Sequence, residues 1–116
     1  MSAQENFRVE VRNEGRALVF AVAGELDLAS SPTLEQELEK VRDADVDLVI
    51  IDLRELRFMD STGLHALVKA NKRATEAGRR FAVVKGGAQI QRLLSLTGVS
   101  ELLTVGDSPE ELLRAG

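Results

Sequence analysis

The run Asp47 to Leu53, D-L-V-I-I-D-L, is nearly continuous β-branched and leucine sequence between turns. A strand with one wet face alternates apolar and polar residues. A run that is apolar on both sides of the pleat must be covered on both. This segment therefore demands a sheet with helices packed on it, and the rest of the chain has to supply the other strands and the helices.

The chain opens with a hairpin. Phe7, Val9 and Val11 alternate with Arg8, Glu10 and Arg12, Asn13-Glu14-Gly15 carries turn chemistry, and Ala17 to Ala23 is a second strand. Gly24-Glu25-Leu26-Asp27 is expected to leave that strand. Ser31-Pro32 then supplies a cap and a proline at the first helical position, and Leu34, Leu38 and Val41 follow at helical spacing. After the central strand, Asp60-Ser61 opens a second helix. Leu64, Leu67 and Val68 face inward, Ala66, Ala70, Ala74 and Ala77 allow close packing, and Gly78 stands beyond its end. Phe81 to Val84 is a short strand, and Gly86-Gly87 turns into a helix carrying Ile90, Leu93 and Leu94. Leu102 to Val105 is a last strand, and Ser108-Pro109-Glu110-Glu111 forms a capping box before Leu112 and Leu113.

The order β-β-α-β-α-β-α-β-α implies an α/β fold: one domain over residues 1–116, with a mixed, mainly parallel sheet of five strands and four helices. Residues 1–5 are expected to form a flexible N-terminal tail.

Composition removes several functions. The net charge is −4 with scattered Lys and Arg, and there are four Phe but no Trp or Tyr, which disfavours direct nucleic-acid binding. No apolar run is long enough for membrane insertion, and the N-terminus lacks a signal-peptide pattern, so a cytoplasmic location is expected. With no cysteine and the single histidine His65, no thiolate or polyhistidine metal site can be built, and neither metal nor cofactor is expected.

The informative chemistry is in Phe58 to Leu64, F-M-D-S-T-G-L. An Asp/Ser/Thr cluster before periodic apolar residues marks a helix start, so Ser61 should lie at a helix N-terminus with its hydroxyl near solvent. Such a serine can cap the helix, act as a nucleophile or receive a phosphate. On residue chemistry alone, capping is the commonest of these roles. The nucleophile elbow needs G-x-S-x-G, whereas residues 59–63 read M-D-S-T-G; His65 reads as a surface histidine, and no catalytic residue is expected. The segment ending at Asp52 resembles the phospho-aspartate strand of a response-regulator receiver. The acidic pair and the Lys-Pro pair of that site are missing, so Asp52 reads as a polar residue at a strand end. Gly86-Gly87 lacks the spacing of a phosphate loop. Glu25, Asp27 and Asp60 could gather at one end of the sheet, as solvated loop acids or as part of a binding surface.

Three segments together resemble the STAS domain of anti-sigma factor antagonists: Gly24-Glu25-Leu26-Asp27, the F-M-D-S-T-G-L heptad, and Arg92-Leu93-Leu94-Ser95-Leu96-Thr97-Gly98. The resemblance spans nearly the whole chain. It implies a STAS-like fold, Ser61 as phosphorylation site, and Asp27, Asp60, Thr62 and Gly63 as partner-binding residues, with capping of the second helix the favoured role of the Asp60 side chain. It also implies a partner-switching role without catalysis. The unphosphorylated protein would bind an anti-sigma factor serine kinase and release the sigma factor. Phosphorylation at Ser61 would block binding, and a serine phosphatase would reset the cycle. The alternative within the same fold is a constitutive scaffold subunit, for example of a lipid-transport ABC complex.

Overall fold

In the computed structural model, which describes residues 6–115, the strands line up side by side in chain order. They are β1 (Phe7–Glu14), β2 (Ala17–Leu26), β3 (Leu48–Met59), β4 (Arg80–Val84) and β5 (Thr104–Gly106). The helices are α1 (Ser31–Lys40), α2 (Ser61–Glu76), α3 (Ala88–Leu96) and α4 (Pro109–Ala115). β1 pairs antiparallel with β2, and each later strand is parallel to the one before it. This is the expected α/β order. The tail expected over residues 1–5 lies outside the described residues.

Strand order explains where the helices go. Each parallel strand is added on the same side of the last, and right-handed crossovers that step in one direction place their helices on one face. Leu34 of α1, Leu64 and Leu67 of α2, and Ile90 and Leu94 of α3 accordingly share a core with Leu18, Phe20, Val22, Val49, Ile51, Leu53, Phe81 and Val83. The alternate residues Ala17, Val19, Leu48, Ile50, Ala82 and Val84 form a second, smaller core on the opposite face under Leu112 of α4. The run from Leu48 to Leu53 is buried throughout, as its composition demanded.

Several boundaries differ from the sequence expectation, each for a physical reason. β2 continues through Gly24-Glu25 to Leu26, and β3 continues past Leu53 to Met59. Register shifts between Ala21 and Ala23 and between Gly24 and Glu25 let these two strands stay paired beyond the end of β4, at the cost of the clean alternation that sequence reading relies on. Asp52 is therefore not a strand-end residue. It sits within β3, buried, where its carboxylate accepts bonds from Arg54 Nε (3.0 Å) and Nη2 (2.8 Å) and raises the affinity of that guanidinium for its proton. The last strand begins at Thr104, not Leu102, because a 3-10 turn over Val99–Glu101 follows Gly98 (φ 80°). Ala77 is exposed at the end of α2 and does not join its packing face. The α4 capping box forms with a one-residue offset: Ser108 Oγ accepts from Glu111 N–H (3.1 Å), and Glu111 Oε1 accepts from Asp107 N–H (2.7 Å).

Candidate functional site

β2 and β3 end together. Leu26 lies opposite Met59, and the Asp60 N–H donates to the Leu26 carbonyl (3.2 Å). This pairing sets the segment 24–27 beside the heptad 58–64, so the two motifs meet at the carboxyl end of the sheet.

On the β3 side, Asp60 is the N-cap of α2, and its Oδ1 accepts from the Gly63 N–H (3.0 Å). The capping role that residue chemistry alone favoured for Ser61 thus falls to Asp60. Ser61 becomes the first residue of the helix, exposed, with its hydroxyl outside the cap. Thr62 beside it is half-buried, and His65 is exposed one turn on. An orphan-rich N-terminus with no other acid in the first turn is a favourable setting for added negative charge.

Gly63 is buried, and its role is spatial. A Cβ there would overlap the Leu26 carbonyl oxygen and stand 2.9 Å from both Leu26 Cγ and Met59 Cγ. Only glycine allows α2 to start this close to the end of β2. Gly24 answers a similar need: its φ is 96°, and a Cβ would collide with the Asn6 carbonyl.

On the β2 side, Asp27 Oδ1 accepts from the N–H groups of Ala29 and Ser30, both at 3.1 Å. The Ser30 hydroxyl lies 2.7 Å from the Glu25 carbonyl and 3.0 Å from Asp27 Oδ1, either of which can take its proton, and it accepts from the Asp27 N–H (2.9 Å). Ser30, not Ser31, is the residue at the N-cap of α1, and it makes no side-chain capping bond. Ser31 is buried one position later with its hydroxyl unpartnered among the described residues. Asp27 and Asp60 are thus not free loop acids: Asp27 is held by the loop before α1 and Asp60 by the first turn of α2. Glu25 is a half-buried strand residue opposite Phe58.

Sequence reading passed over the apolar residues around this end. Leu28 is 73% exposed and Phe58 46% exposed. Phe58, Leu93 and Leu96 also line a shallow hollow of about 230 Å³ between the end of β3 and α3, and Leu96 is 76% exposed. The signal was present in the heptad itself, which begins with a phenylalanine, but strand periodicity does not say whether such a residue near a strand end is covered.

Among the described residues, no group of three or more His, Asp or Glu side chains is arranged to hold a metal ion, and no helix is long and apolar enough to cross a membrane.

Comparison with known proteins agrees with this architecture. Residues 8–112 match the model of the STAS domain. The chain is 28% identical over 105 residues to an anti-sigma-B factor antagonist of Staphylococcus aureus, covering 90% of this chain and 97% of that relative. It superposes on the crystal structure of an anti-sigma factor antagonist from Mycobacterium paratuberculosis with a TM-score of 0.86 at 27% identity, over 99% of this chain and 97% of the other. The Bacillus cell fate determinant SpoIIAA, solved in its phosphorylated form, shares the fold at 16% identity and a TM-score of 0.73, over 94% of this chain and 100% of that one. The chain belongs to the STAS domain family.

Proposed function

We propose that this protein is an anti-sigma factor antagonist that acts by partner switching, with Ser61 as the phosphate acceptor. The observation that carries the reading is the exposed hydroxyl of Ser61 at the first position of α2, released from capping by Asp60. The names of its relatives support the same assignment, as does a protein of the same fold known in a phosphorylated form.

In this reading the unphosphorylated protein binds an anti-sigma factor that is also a serine kinase, and the sigma factor is released. The contact surface is the carboxyl end of the β2–β3 pair. Leu28, Phe58 and Thr62 contribute side chains at this end of the sheet, while Asp27 holds the loop before α1 and Asp60 and Gly63 fix the start of α2. The kinase then transfers the γ-phosphoryl group of ATP to Ser61. A phosphoserine adds about −1.5 to −2 charges at neutral pH. The N-terminus of α2 accepts that charge, so the fold persists, whereas a desolvated interface around it does not. The complex separates, and a serine phosphatase restores the hydroxyl. The protein is the substrate and the binder in this cycle, and the chemistry belongs to its partners.

The test is to incubate the protein with its cognate kinase and ATP and to map the phosphate by mass spectrometry. Label at Ser61 that disappears in Ser61→Ala is expected. Stoichiometric label at another residue, or none with an active kinase, overturns the mechanism.

A further inference from the structure

β1 is an edge strand, and its outer side carries no neighbour among the described strands. Its eight residues, F-R-V-E-V-R-N-E, run without proline and in unbroken register with β2. Proline and bulges are common means of blocking further pairing at a sheet edge. Neither is present here. What the edge has instead is a charge pattern.

The hairpin geometry fixes which backbone groups point outward. Glu14 lies opposite Ala17 across the two-residue loop Gly15–Arg16, with Gly15 at φ 67° in the first loop position. A two-residue loop closes on a hydrogen-bonded pair, and such pairs alternate along an antiparallel ladder. Arg8, Glu10, Arg12 and Glu14 therefore turn their backbone groups toward β2. Phe7, Val9, Val11 and Asn13 turn theirs to the open edge.

The side chains on one face of this strand read Arg8, Glu10, Arg12, Glu14, and all four are exposed. Read in the opposite direction, the series has its signs inverted. If a second β1 runs antiparallel with Val11 opposite its own copy, Arg8 meets Glu14, Glu10 meets Arg12, and the two reciprocal pairs follow by symmetry. All four contacts are complementary. A shift of the pairing by two residues in one direction sets Glu10 against Glu10 and Arg8 against Arg12; the opposite shift sets Arg12 against Arg12 and Glu10 against Glu14. An odd shift puts the charged face of one strand beside the apolar face of the other. A shift by four residues keeps only two complementary contacts, Arg8 with Glu10 or Arg12 with Glu14, so the register centred on Val11 is the one that makes four.

That register also suits the backbone. It makes Val11 a hydrogen-bonded pair with itself across a two-fold axis, using the outward groups, and it places the charged residues at the non-hydrogen-bonded positions, where side chains approach most closely. On the other face Val11, 39% exposed in the single chain, meets its counterpart.

We propose that the β1 edge is a self-association surface, through which two copies of this chain form a two-fold dimer with one continuous sheet centred on Val11. Because β1 and its copy are antiparallel, the carboxyl ends of the two β3 strands face opposite ends of the joined sheet. Both Ser61 residues stay accessible, and two partners can be engaged at once.

Sedimentation equilibrium of the full chain tests this. The parent protein is expected to rise with concentration from its 12.6 kDa monomer mass toward twice that value. Added salt should weaken the association, because the paired charges are exposed. Glu10→Arg alone and Arg12→Glu alone each set two like-charge contacts in the homodimer, weakening it about tenfold or more. Mixed together, these two variants regain all four complementary contacts and should form a heterodimer with parent-like affinity. A parent protein that stays monomeric at every attainable concentration overturns the proposal. So does a dimer that the single reversals leave unaffected, or a mixture of the two variants that associates no better than either alone.

Discussion

Two helices start at the same end of this sheet with nearly the same residues, and they use them in opposite ways. α1 begins at Ser31 after Asp27-Leu28-Ala29-Ser30, and α2 begins at Ser61 after Asp60 alone. At α1 the aspartate bonds the loop before the helix, one serine ties that loop to the Glu25 carbonyl, and the other is buried. At α2 the aspartate caps the helix and the serine stands outside in solvent. One serine bonds its loop, one is buried without a partner among the described residues, and one is displayed. The difference comes from loop length. Four residues separate Leu26 from Ser31, enough to fold a bonded turn, whereas Asp60 alone separates Met59 from Ser61. With no loop to hold, Asp60 is left to cap, and Ser61 is left free.

The largest expected effect breaks the α2 start. Gly63→Ala drives a methyl group against the Leu26 backbone, which cannot rotate away as a side chain can. Overpacking of this kind costs about 1–3 kcal/mol, and a backbone collision belongs at the upper end. A urea titration should show the loss. If Gly63→Ala is as stable as the parent, the close approach of α2 to β2 is not what positions Ser61.

Next is the α1 start. Ser30→Ala removes the proton donor to the Glu25 carbonyl and the acceptor of the Asp27 N–H. Loss of such partly buried partners costs about 1–3 kcal/mol. Ser31→Ala should do the reverse. Its hydroxyl is buried without a partner among the described residues, so removing it should leave stability unchanged or raise it by up to about 1 kcal/mol. Had Ser31 been the cap, alanine there would cost about 1 kcal/mol. Adjacent serines with opposite signs of effect in the same denaturation assay would establish the difference. A destabilised Ser31→Ala would break the comparison.

This pair of helix starts also marks what can be read from sequence. The order of strands and helices was legible because periodicity and turn residues survive in one dimension. The double-sided burial of Leu48 to Leu53 was legible for the same reason. The cap of α1 was not, since Ser30 and Ser31 are chemically identical and only the turn that buries them separates their roles. Likewise the extension of β3 was hidden, because its pairing with β2 slips at two points and Arg54-Glu55-Leu56-Arg57 no longer alternates like a half-buried strand. At the candidate site, the helix start and exposure of Ser61 followed from local signals. Asp60 as the cap was likewise within reach of local signals, whereas the need for glycine at position 63 depends on contact with Leu26, 37 residues upstream.

The smallest expected change in stability carries the most functional information. Ser61→Asp places a carboxylate at the first position of α2. A negative group there gains about 0.3–1 kcal/mol from the helix N-terminus, and repulsion from the adjacent Asp60 offsets part of that gain. The net effect on folding should lie within about 0.5 kcal/mol of zero, with an unchanged circular dichroism spectrum. Binding to the proposed kinase partner should nevertheless fall sharply, because in the proposed cycle the carboxylate would stand in a desolvated interface. A variant that binds poorly because it has unfolded would show itself in the spectrum and overturn the interface-blocking account. A variant that folds and binds like the parent would show that negative charge at this position is not the switch. Loss of binding with folding intact would separate the two helix starts by function as well as by structure, since the serines of α1 have no exposed hydroxyl through which a charge could act.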